Sequence, residues 1–552
     1  MHIMKKIINT ILIACAVVCS ACTNLDETIY SQIAAEKYEF NDDDIQAMLA
    51  SVYDYVHQVY ASFNGMGDLE ESTDIWCVPS RLGIGWGKYY ILLHKHTFSN
   101  SISHCSGFFS DAYSAISECN RMMEMDAIKE NAVTYNQLRF FRALMYYNLF
   151  DNFRNIGLDT SYIHEDGWMP TQVAPQVTYD FIMEELSAIK GNCGTDNGFG
   201  VVNDYCVNML LAKMYLNHNA WFNDDSDLSY YQKALDEVDE IIASGKYSLA
   251  ANYLDNFKAD ISSSPEVILA FPFEYPYSYG LGWASLWLAN ANRKTYGYTS
   301  WATSGAGAIP QFIFTYDEDD QRLTDTWFWG QQYDQQGKEI EGCSYTIEFG
   351  SIDGAYEYEG ARCHKYEIGN GPVGTYSTDL PVFRYADALM IKAECLLRLG
   401  KDENTAADLV SQVRARNFSS APEKATVTAA KLKGGSCYQY GLRYNLNIKD
   451  DPAKTDAGQI NEWVTTEEGG DDIILGGLLD ELGWEFMGEW HRRQDLIRFK
   501  MTNGQSVWNG KSWFCKPRVE TIDNVEDNIF PFRASTLEAN PWLTQNPIRS
   551  VK

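Results

Sequence analysis

Aromatic side chains are concentrated in one glycine-rich stretch near the middle of the 552-residue chain. Trp283, Trp287, Tyr296, Tyr298 and Trp301 lie there within about twenty residues of one another. A sugar ring packs its C–H face on an aromatic plane, whereas its hydroxyls need hydrogen-bond partners around the edge. The stretch therefore predicts an aromatic platform for a sugar-like ligand. The alternative is that these side chains fill the core beneath a long loop.

A second candidate segment lies nearer the N-terminus and contains Asp74, Trp76, Arg81 and Trp86. A tryptophan beside an arginine or an aspartate offers a stacking plane together with directional donors and acceptors. We therefore expect ligand contacts in this segment too. A buried tryptophan with a structural Arg–Asp pair would explain the same residues.

Catalytic motifs are missing from the sequence. It contains no His-Glu-x-x-His, no Gly-x-Ser-x-Gly and no phosphate-binding loop. No two of its many carboxylates stand out as a glycosidase pair, because only their distance in the fold defines one. Residues 316–320 (Tyr-Asp-Glu-Asp-Asp) could offer oxygens to calcium, but they lack EF-hand spacing, which favours a solvated acidic turn. The sequence indicates a binding protein rather than an enzyme, and it predicts no cofactor; a structural calcium ion is left open without being predicted.

The charge balance restricts the partners. Asp and Glu number 75 against 44 Lys and Arg, which gives a formal net charge of −31. Such a field repels phosphate backbones and disfavours adhesion to anionic lipid headgroups, so nucleic acid is not expected as a partner. A neutral ligand such as a sugar is compatible with it. The simpler alternative is that the acidity only keeps an exposed protein soluble.

The N-terminus has the order of a secretory signal. Lys5 and Lys6 precede an apolar run over residues 7–18, and Ser-Ala-Cys follows, ending at Cys22. The run is too short to span a membrane as a helix. Its end resembles a bacterial lipobox, in which Cys22 becomes acylated, although Cys19 stands where leucine is commoner. We therefore predict a lipoprotein signal peptide over residues 1–21; an ordinary signal peptide cut near Ala21 is the alternative.

Hydrophobic periodicity divides the rest of the chain into a scaffold and excursions. Residues 22–40 are polar and suit a tether, and residues 41–552 form one predicted body. The predicted helical scaffold covers about 41–251, 380–418 and 475–500, the loop-rich ligand-binding excursions cover about 252–379 and 419–474, and a C-terminal segment covers 501–552. Such long loops are uncommon unless they are functional.

Pairs of helices are the expected unit of the scaffold. Apolar residues at three- and four-residue spacing predict such pairs within residues 108–153, 204–244 and 380–416. Small residues where the helices cross let them approach closely, as in a tetratricopeptide repeat. The predicted fold is therefore mainly α, a tetratricopeptide-like scaffold of helical pairs with long irregular excursions that carry short strands.

Three motifs in a fixed order link the chain to a known family. Arg142, Ala143 and Tyr146 form an Arg-Ala-x-x-Tyr helix. Residues 485–499 read Glu-Phe-x-Gly-Glu-x-x-Arg-Arg-x-Asp-Leu-Ile-Arg-Phe, and residues 540–547 read Asn-Pro-x-Leu-x-Gln-Asn-Pro. With the lipobox and the helical pair at 380–416, these motifs make the chain similar to the SusD/RagB family of bacterial surface lipoproteins.

The resemblance implies a location and a function. It implies a lipid such as palmitate on Cys22 and a place on the outer face of the outer membrane, attached through that anchor. It also implies a role in nutrient uptake: capture of an oligosaccharide on loop aromatics and delivery to a SusC-like, TonB-dependent outer-membrane transporter. Some relatives capture peptides, so a peptide- or protein-binding repeat scaffold is the alternative function.

The charged residues of the 485–499 motif are interpreted as structural. At helical spacing Glu489 can pair with Arg493. We expect this motif to cross-link its helix to neighbouring elements rather than to form a reaction centre.

Overall fold

The computed structural model describes residues 41–62, 65, 70–101, 104–278, 280, 282–299, 302–348, 350–441, 468–516 and 528–547. The predicted signal peptide (1–21) and tether (22–40), including Cys22, lie outside these residues. The chain divides into two compact units, Met1–Ala47 and Met48–Lys552. The second unit contains the helical pairs, the charged cross-links and the candidate site.

Helices dominate the described residues, and the predicted mainly α fold class is confirmed. In chain order they are α1 (Asp42–Ala61), α2 (Lys88–His94), α3 (His104–Met123), α4 (Asp126–Lys129), α5 (Ala132–Phe153), α6 (Pro175–Ile189), α7 (Asp204–Phe222), α8 (Ser229–Ala243), α9 (Arg293–Tyr296), α10 (Pro310–Ile313), α11 (Gln321–Thr326), α12 (Tyr385–Leu399), α13 (Glu403–Ala415), α14 (Ala429–Lys433), α15 (Gly476–Phe486), α16 (Arg492–Arg498), α17 (Val507–Gly510) and α18 (Ala534–Ala539). Short 3₁₀ turns occupy Tyr253–Asn256, Gly282–Trp287, Asn290–Asn292 and Pro422–Lys424.

The strands are short and pair two by two. They are β1 (Trp76–Cys77), β2 (Val267–Phe271), β3 (Gly307–Ala308), β4 (Trp327–Phe328), β5 (Gly330–Tyr333), β6 (Glu339–Tyr345), β7 (Arg362–Cys363) and β8 (Leu380–Arg384). The antiparallel pairs are β1–β3, β2–β8, β4–β7 and β5–β6. Because β2 lies near the start of the central excursion and β8 follows its end, their pairing closes this excursion at its base.

The predicted helical pairs are confirmed. Helix α3 packs against α5, α7 against α8, and α12 against α13. The pairs also stack, since α6 contacts both α5 and α7, and α8 contacts α12. Stacking gives each pair a neighbour for the apolar face that it cannot bury alone.

Helix α5 lies in the interior of the scaffold. The Asn131 side chain caps its start by accepting a hydrogen bond from the backbone N–H of Thr134 at 3.1 Å. Leu138 and Phe141, which lie three residues apart on one face, are buried, and Phe140 on another face is buried as well. A helix that is buried all round belongs inside a large protein rather than at its surface. A pattern with one apolar face therefore underestimates how much of the surface of α5 is buried.

The charged motif at 485–499 spans the end of α15, α16 and the turn between them, and its charged side chains are buried. Arg498 binds Glu394 of α12, with Nε 2.7 Å from Oε1. Arg493 binds Asp151 of α5 at 2.9 Å. The interpretation of this motif as a set of cross-links between elements is confirmed.

The specific pair expected inside the motif, Glu489 with Arg493, is wrong. Helix α15 ends before Glu489 and α16 begins after it, so the two residues do not share a helix. Glu489 instead binds Arg384 of β8, with Nε 2.7 Å from Oε2, and Lys365, with Nζ 2.6 Å from Oε1. The cross-links thus connect the motif to the central excursion as well as to the helices.

Candidate ligand-binding site

Main-chain pairing brings the two predicted ligand segments together. Trp76 lies in β1, which pairs with β3 of the central excursion. Further along, the Ser80 N–H donates to the carbonyl of Ile352, and the Ala355 N–H donates to the carbonyl of Ser80, both at 2.8 Å. Residues 74–86 therefore lie directly against the excursion.

Asp74 is fully buried in an ion pair. Arg492 Nε lies 2.7 Å from its Oδ1, and Nη2 lies 2.8 Å from its Oδ2. The Tyr440 hydroxyl also donates to Oδ2, at 2.7 Å. Because both oxygens are engaged inside the protein, the expectation of a ligand contact is corrected to a structural Arg–Asp pair. Its arginine is Arg492 rather than Arg81.

Arg81 is also buried, and backbone carbonyls satisfy its guanidinium group. Its Nε donates to Gly305 at 3.0 Å, and its Nη1 donates to Tyr356 and Glu359, both at 2.7 Å. Burial lowers the pKa of Arg81 well below its usual value. The side chain is therefore a clamp between the 74–86 segment and the excursion, which corrects the expectation that it contacts the ligand.

Trp76 and Trp287 form part of a buried tryptophan cluster. Their ring centroids lie 5.0 Å apart at an interplanar angle of 78°, and Trp287 meets Trp327 in the same way at 5.5 Å and 72°. Edge-to-face contacts of this kind are favourable packing. Only 1% of Trp287 is exposed. For Trp76 and Trp287 the geometry therefore supports the core alternative over the platform.

The two predicted tyrosines lie in a second, small core cluster with Leu288, the residue that follows Trp287 in the chain. Tyr298 is buried with Leu288, and Tyr296 is half-buried against them. Burial also raises the pKa of Tyr296. The side chain of Trp283 and the whole of Trp301 lie outside the described residues, so their role as ligand contacts stays a prediction.

Trp86 differs from the other predicted residues because it is only half-buried. Its Nε1 donates to the carbonyl of Thr303 at 2.6 Å, which orients the ring. Gly83, Gly85 and Gly87 adopt φ values of 83°, 91° and 123°. Glycine alone adopts such angles readily, so the sequence of this loop is suited to presenting Trp86.

Exposed apolar side chains lie on the two segments that meet at Arg81, the loop that carries Trp86 and the loop that carries Tyr356. Ile84 is 43% exposed, Tyr89 38% and Tyr356 43%. Arg81 holds two of these residues through their backbones. The carbonyl of Arg81 accepts a hydrogen bond from the Ile84 N–H at 3.1 Å, and the guanidinium group of Arg81 donates to the carbonyl of Tyr356. Tyr89 lies in the first turn of α2, three residues after Trp86. Ile84, Trp86, Tyr89 and Tyr356 are together named the Trp86 surface.

Polar groups accompany the Trp86 surface. The half-buried carboxylate of Glu357, next to Tyr356 in the chain, accepts from the Ser304 hydroxyl at 2.7 Å. Lys95, at the end of α2, binds Asp353 with its Nζ 3.1 Å from Oδ2. These groups provide acceptors and a donor on the same segments that carry the exposed rings.

Sequence reasoning missed Tyr89 and Tyr356. A signal for them exists, since both lie in short runs that mix tyrosine with glycine and charged residues: Gly-Lys-Tyr-Tyr at 87–90 and Tyr-Glu-Tyr-Glu-Gly at 356–360. These runs do not by themselves separate exposed from buried rings, because Tyr90 in the first run is buried and Tyr358 in the second is half-buried.

The acidic turn at 316–320 is held by ion pairs. Lys424 Nζ lies 2.7 Å from carboxylate oxygens of both Asp317 and Asp319. Asp320 caps α11 and binds Arg322 at 2.6 Å. Within the described ranges, no group of three or more His, Cys, Asp or Glu side chains is arranged to hold a metal ion. Over the same ranges, no helix is both long enough and apolar enough to cross a membrane.

Comparison with known proteins shows the family. A family model described as the SusD family matches residues 239–548, which is more than half of the chain. A curated relative, SusD-like protein P25 of Formosa agariphila, is 21% identical over 419 residues, covering 71% of this chain and 70% of the relative.

Solved structures share the fold. B. fragilis NanU is similar with a TM-score of 0.67 and 18% identity over 94% of this chain and 99% of that chain. Surface glycan-binding protein A from Bacteroides uniformis has a TM-score of 0.66 and 17% identity over 92% and 99% of the two chains. The protein of the same name from Bacteroides thetaiotaomicron, solved in complex with laminarihexaose, has a TM-score of 0.63 and 18% identity over 92% and 99%. Since the family model covers most of the C-terminal half and the fold agrees, the chain belongs to the SusD family.

Proposed function

We propose that the protein is a cell-surface glycan-binding lipoprotein, which captures an oligosaccharide and delivers it to a SusC-like, TonB-dependent transporter of the outer membrane. The Trp86 surface is the observation that carries the proposal. Its half-buried indole ring and exposed phenol rings offer planes for the C–H faces of sugars, and nearby polar groups offer partners for hydroxyls. The laminarihexaose complex of a protein with the same fold supports a glycan ligand.

The surface is built to be rigid before a ligand arrives. The Arg81 clamp fixes the 74–86 segment on the excursion through carbonyls of three residues. A site whose loops are already ordered loses less conformational entropy on binding. We propose that Trp76, Trp287 and Tyr298 support it from within the core, and that Trp283 and Trp301 are further ligand contacts.

We propose that the protein binds without catalysis. A glycosidase needs two carboxylates placed on either side of a glycosidic bond. Near the Trp86 surface, Asp74 is committed to Arg492 and Asp353 to Lys95. Two of the nearby carboxylates are thus used in ion pairs and a third, Glu357, accepts a hydrogen bond from the Ser304 hydroxyl, which favours capture of the glycan over hydrolysis.

Alanine at Trp86 or Tyr356 should weaken glycan binding and leave folding nearly intact. A stacking contact of this kind contributes about 0.5–1.5 kcal/mol, so each change should raise the Kd roughly two- to tenfold. Tyr356 is 43% exposed and Trp86 is half-buried, so removing either ring should shift the unfolding midpoint less than removing the fully buried ring of Trp287. A glycan and peptide array with the mature chain identifies the ligand, and titration calorimetry measures the variants.

Tyr162→Ala is the matched control, because Tyr162 is 49% exposed in a different segment of the chain. It should leave the Kd unchanged. If Trp86→Ala and Tyr356→Ala bind the array ligand as tightly as this control, the Trp86 surface is not the site. A ligand found only among the peptides would favour the peptide-binding alternative.

Lipid attachment at Cys22 is a separate part of the proposal. Cys22→Ala should release the protein from membrane fractions and abolish labelling by a fatty-acid probe, because the thiol is the acylation site of a lipobox. Cys19→Ala is the control and should keep the label, since Cys19 belongs to the removed signal peptide. Labelling that persists in Cys22→Ala would refute the anchor.

A further inference from the structure

A small polar cavity lies inside the protein, where α7, α12, α15 and α16 meet. Its volume is about 10 Å³, far below the range of roughly 300–1,000 Å³ that is typical of small-molecule sites. Three carboxylates and two cations line it: Asp387, Glu394 and Asp495, against Lys213 and Arg498. All five side chains are buried. The cavity is therefore of interest for the charges in its wall rather than for a ligand molecule.

The carboxylates in this wall outnumber the cations by one. His491 also lines the cavity, but burial and the charge of Lys213 lower its pKa well below the usual value, so the imidazole is neutral. A buried charge without compensation costs several kcal/mol, of the order of 3–5 when a partner is removed. The described part of the lining therefore carries one negative charge that its own cations do not balance.

Two of the three carboxylates have cations of their own. Lys213 Nζ lies 2.7 Å from Asp387 Oδ2. Glu394 Oε1 lies 2.7 Å from Nε of both Arg398 and Arg498. Burial alone would raise the pKa of Glu394, but the charges of these two arginines outweigh it and hold the pKa at about 2. Glu394 is therefore ionised at any pH at which the protein is used.

Asp495 is the carboxylate with the weakest compensation. Its Oδ1 lies 2.7 Å from Arg498 Nη2, but the same nitrogen also lies 2.9 Å from Glu394 Oε2. The second oxygen, Oδ2, is buried and has no hydrogen-bond partner within the parts of the chain that the structure describes. A protonated carboxyl would carry no charge at this position.

The other charges that face Asp495 do not balance it either. Arg492, on the same helix, binds Asp74, with Nε 2.7 Å from Oδ1. Glu70, which precedes β1, is a further buried carboxylate, and its charge and that of Asp495 repel each other. Burial raises the pKa of Asp495 to about 6, although the charge of Arg498 opposes the shift.

We propose that Asp495 takes up a proton from solvent in mildly acidic medium and releases it towards neutral pH, which makes the junction of α7, α12 and α16 a proton-sensitive joint. With the proton on Asp495, the cavity wall has two carboxylates against two cations, and α16 packs on the helical pairs without a net buried charge. Without the proton, the third carboxylate weakens the junction. The joint lies between the helical pairs and the charged motif that binds the central excursion.

Urea unfolding of the mature wild type and of Asp495→Asn, from pH 4 to pH 7, tests the proposal. The folded protein binds this proton more tightly than the unfolded chain, so its stabilisation is complete below pH 3.8 and is lost as the pH rises through 6. Asparagine is neutral and has the same shape, so its contribution does not change with pH. The unfolding constant of the wild type, divided by that of Asp495→Asn, should therefore increase about a hundredfold over this range.

Asp236→Asn is the matched control, because it makes the same chemical change at an exposed position of α8. It should keep the pH dependence of the wild type. Asp495→Leu is a second neutral replacement of similar size and should behave like Asp495→Asn. If both Asp495 variants follow the wild type at every pH, the proton is not on Asp495 and the proposal is wrong. If neither variant folds at any of these pH values, a neutral side chain cannot replace Asp495, which also overturns the proposal.

Discussion

Glu485→Ala is expected to destabilise the protein by about 3–5 kcal/mol, because it leaves several buried arginines without their shared partner. Arg416 Nη2 lies 2.5 Å from Glu485 Oε1, Arg384 Nη1 lies 3.2 Å from the same oxygen, and Arg322 Nη1 lies 3.4 Å from Oε2. The carboxylate thereby joins α15 to β8, to α11 and to the residue that follows α13. Urea unfolding of the mature chain measures the change in the free energy of unfolding.

The control for this prediction is Glu124→Ala, which removes an exposed ion pair with Lys129. An exposed pair contributes about 1 kcal/mol or less. Glu485→Gln keeps the shape of the side chain and removes only its charge, so it should be nearly as destabilising as Glu485→Ala. If both Glu485 variants unfold at the same urea concentration as Glu124→Ala, the buried network does not stabilise the fold.

Lowering the pH should remove the stabilisation that Glu485 contributes to the folded protein. Burial alone would raise the pKa of its carboxyl, but the charges of Arg416, Arg384 and Arg322 outweigh burial and hold the pKa at about 2, below the ordinary value of 4.5. A carboxyl whose pKa is lowered on folding stabilises the protein fully above its ordinary value and loses this effect as the pH falls towards the folded value. The difference in the free energy of unfolding between wild type and Glu485→Ala should therefore be constant above pH 4.5 and should decrease towards pH 2.

Trp287→Ala is expected to cost about 3–5 kcal/mol of stability, because it empties the space between Trp76 and Trp327. The ring is 1% exposed, so no ligand can stack on it without displacing the protein around it. This outcome is opposite to that of Trp86→Ala, which should weaken binding at nearly unchanged stability. The same urea experiment with both variants, followed by calorimetry of each folded variant, distinguishes the two tryptophans.

Trp287→Phe refines this comparison. Phenylalanine keeps part of the edge-to-face packing, so its loss of stability should lie between those of wild type and Trp287→Ala. If Trp287→Ala unfolds at the wild-type urea concentration and no longer binds the glycan, Trp287 is a ligand contact, as the aromatic pattern of the sequence first suggested.

The cross-linking role of the charged motif was readable from the sequence, but the partners of its residues were not. Six charged residues at helical spacing indicated groups that cross-link a helix to its neighbours. The expected pair of Glu489 with Arg493 failed because the helix breaks between them. A break of this kind depends on the turn that the surrounding structure imposes, which local spacing does not report.

The sequence by itself determined the helices, their pairing and the family, because helical periodicity is a local property and the three motifs are contiguous. The tertiary structure alone decided which aromatic side chains are exposed. Trp86 and Trp287 are the same residue type in similar glycine-containing loops, yet one is half-buried and the other lies between Trp76 and Trp327. Asp74 likewise finds Arg492 at a separation of 418 positions in the chain. Burial and ion pairing are set by contacts between distant segments, and the residue types alone do not specify which segments meet.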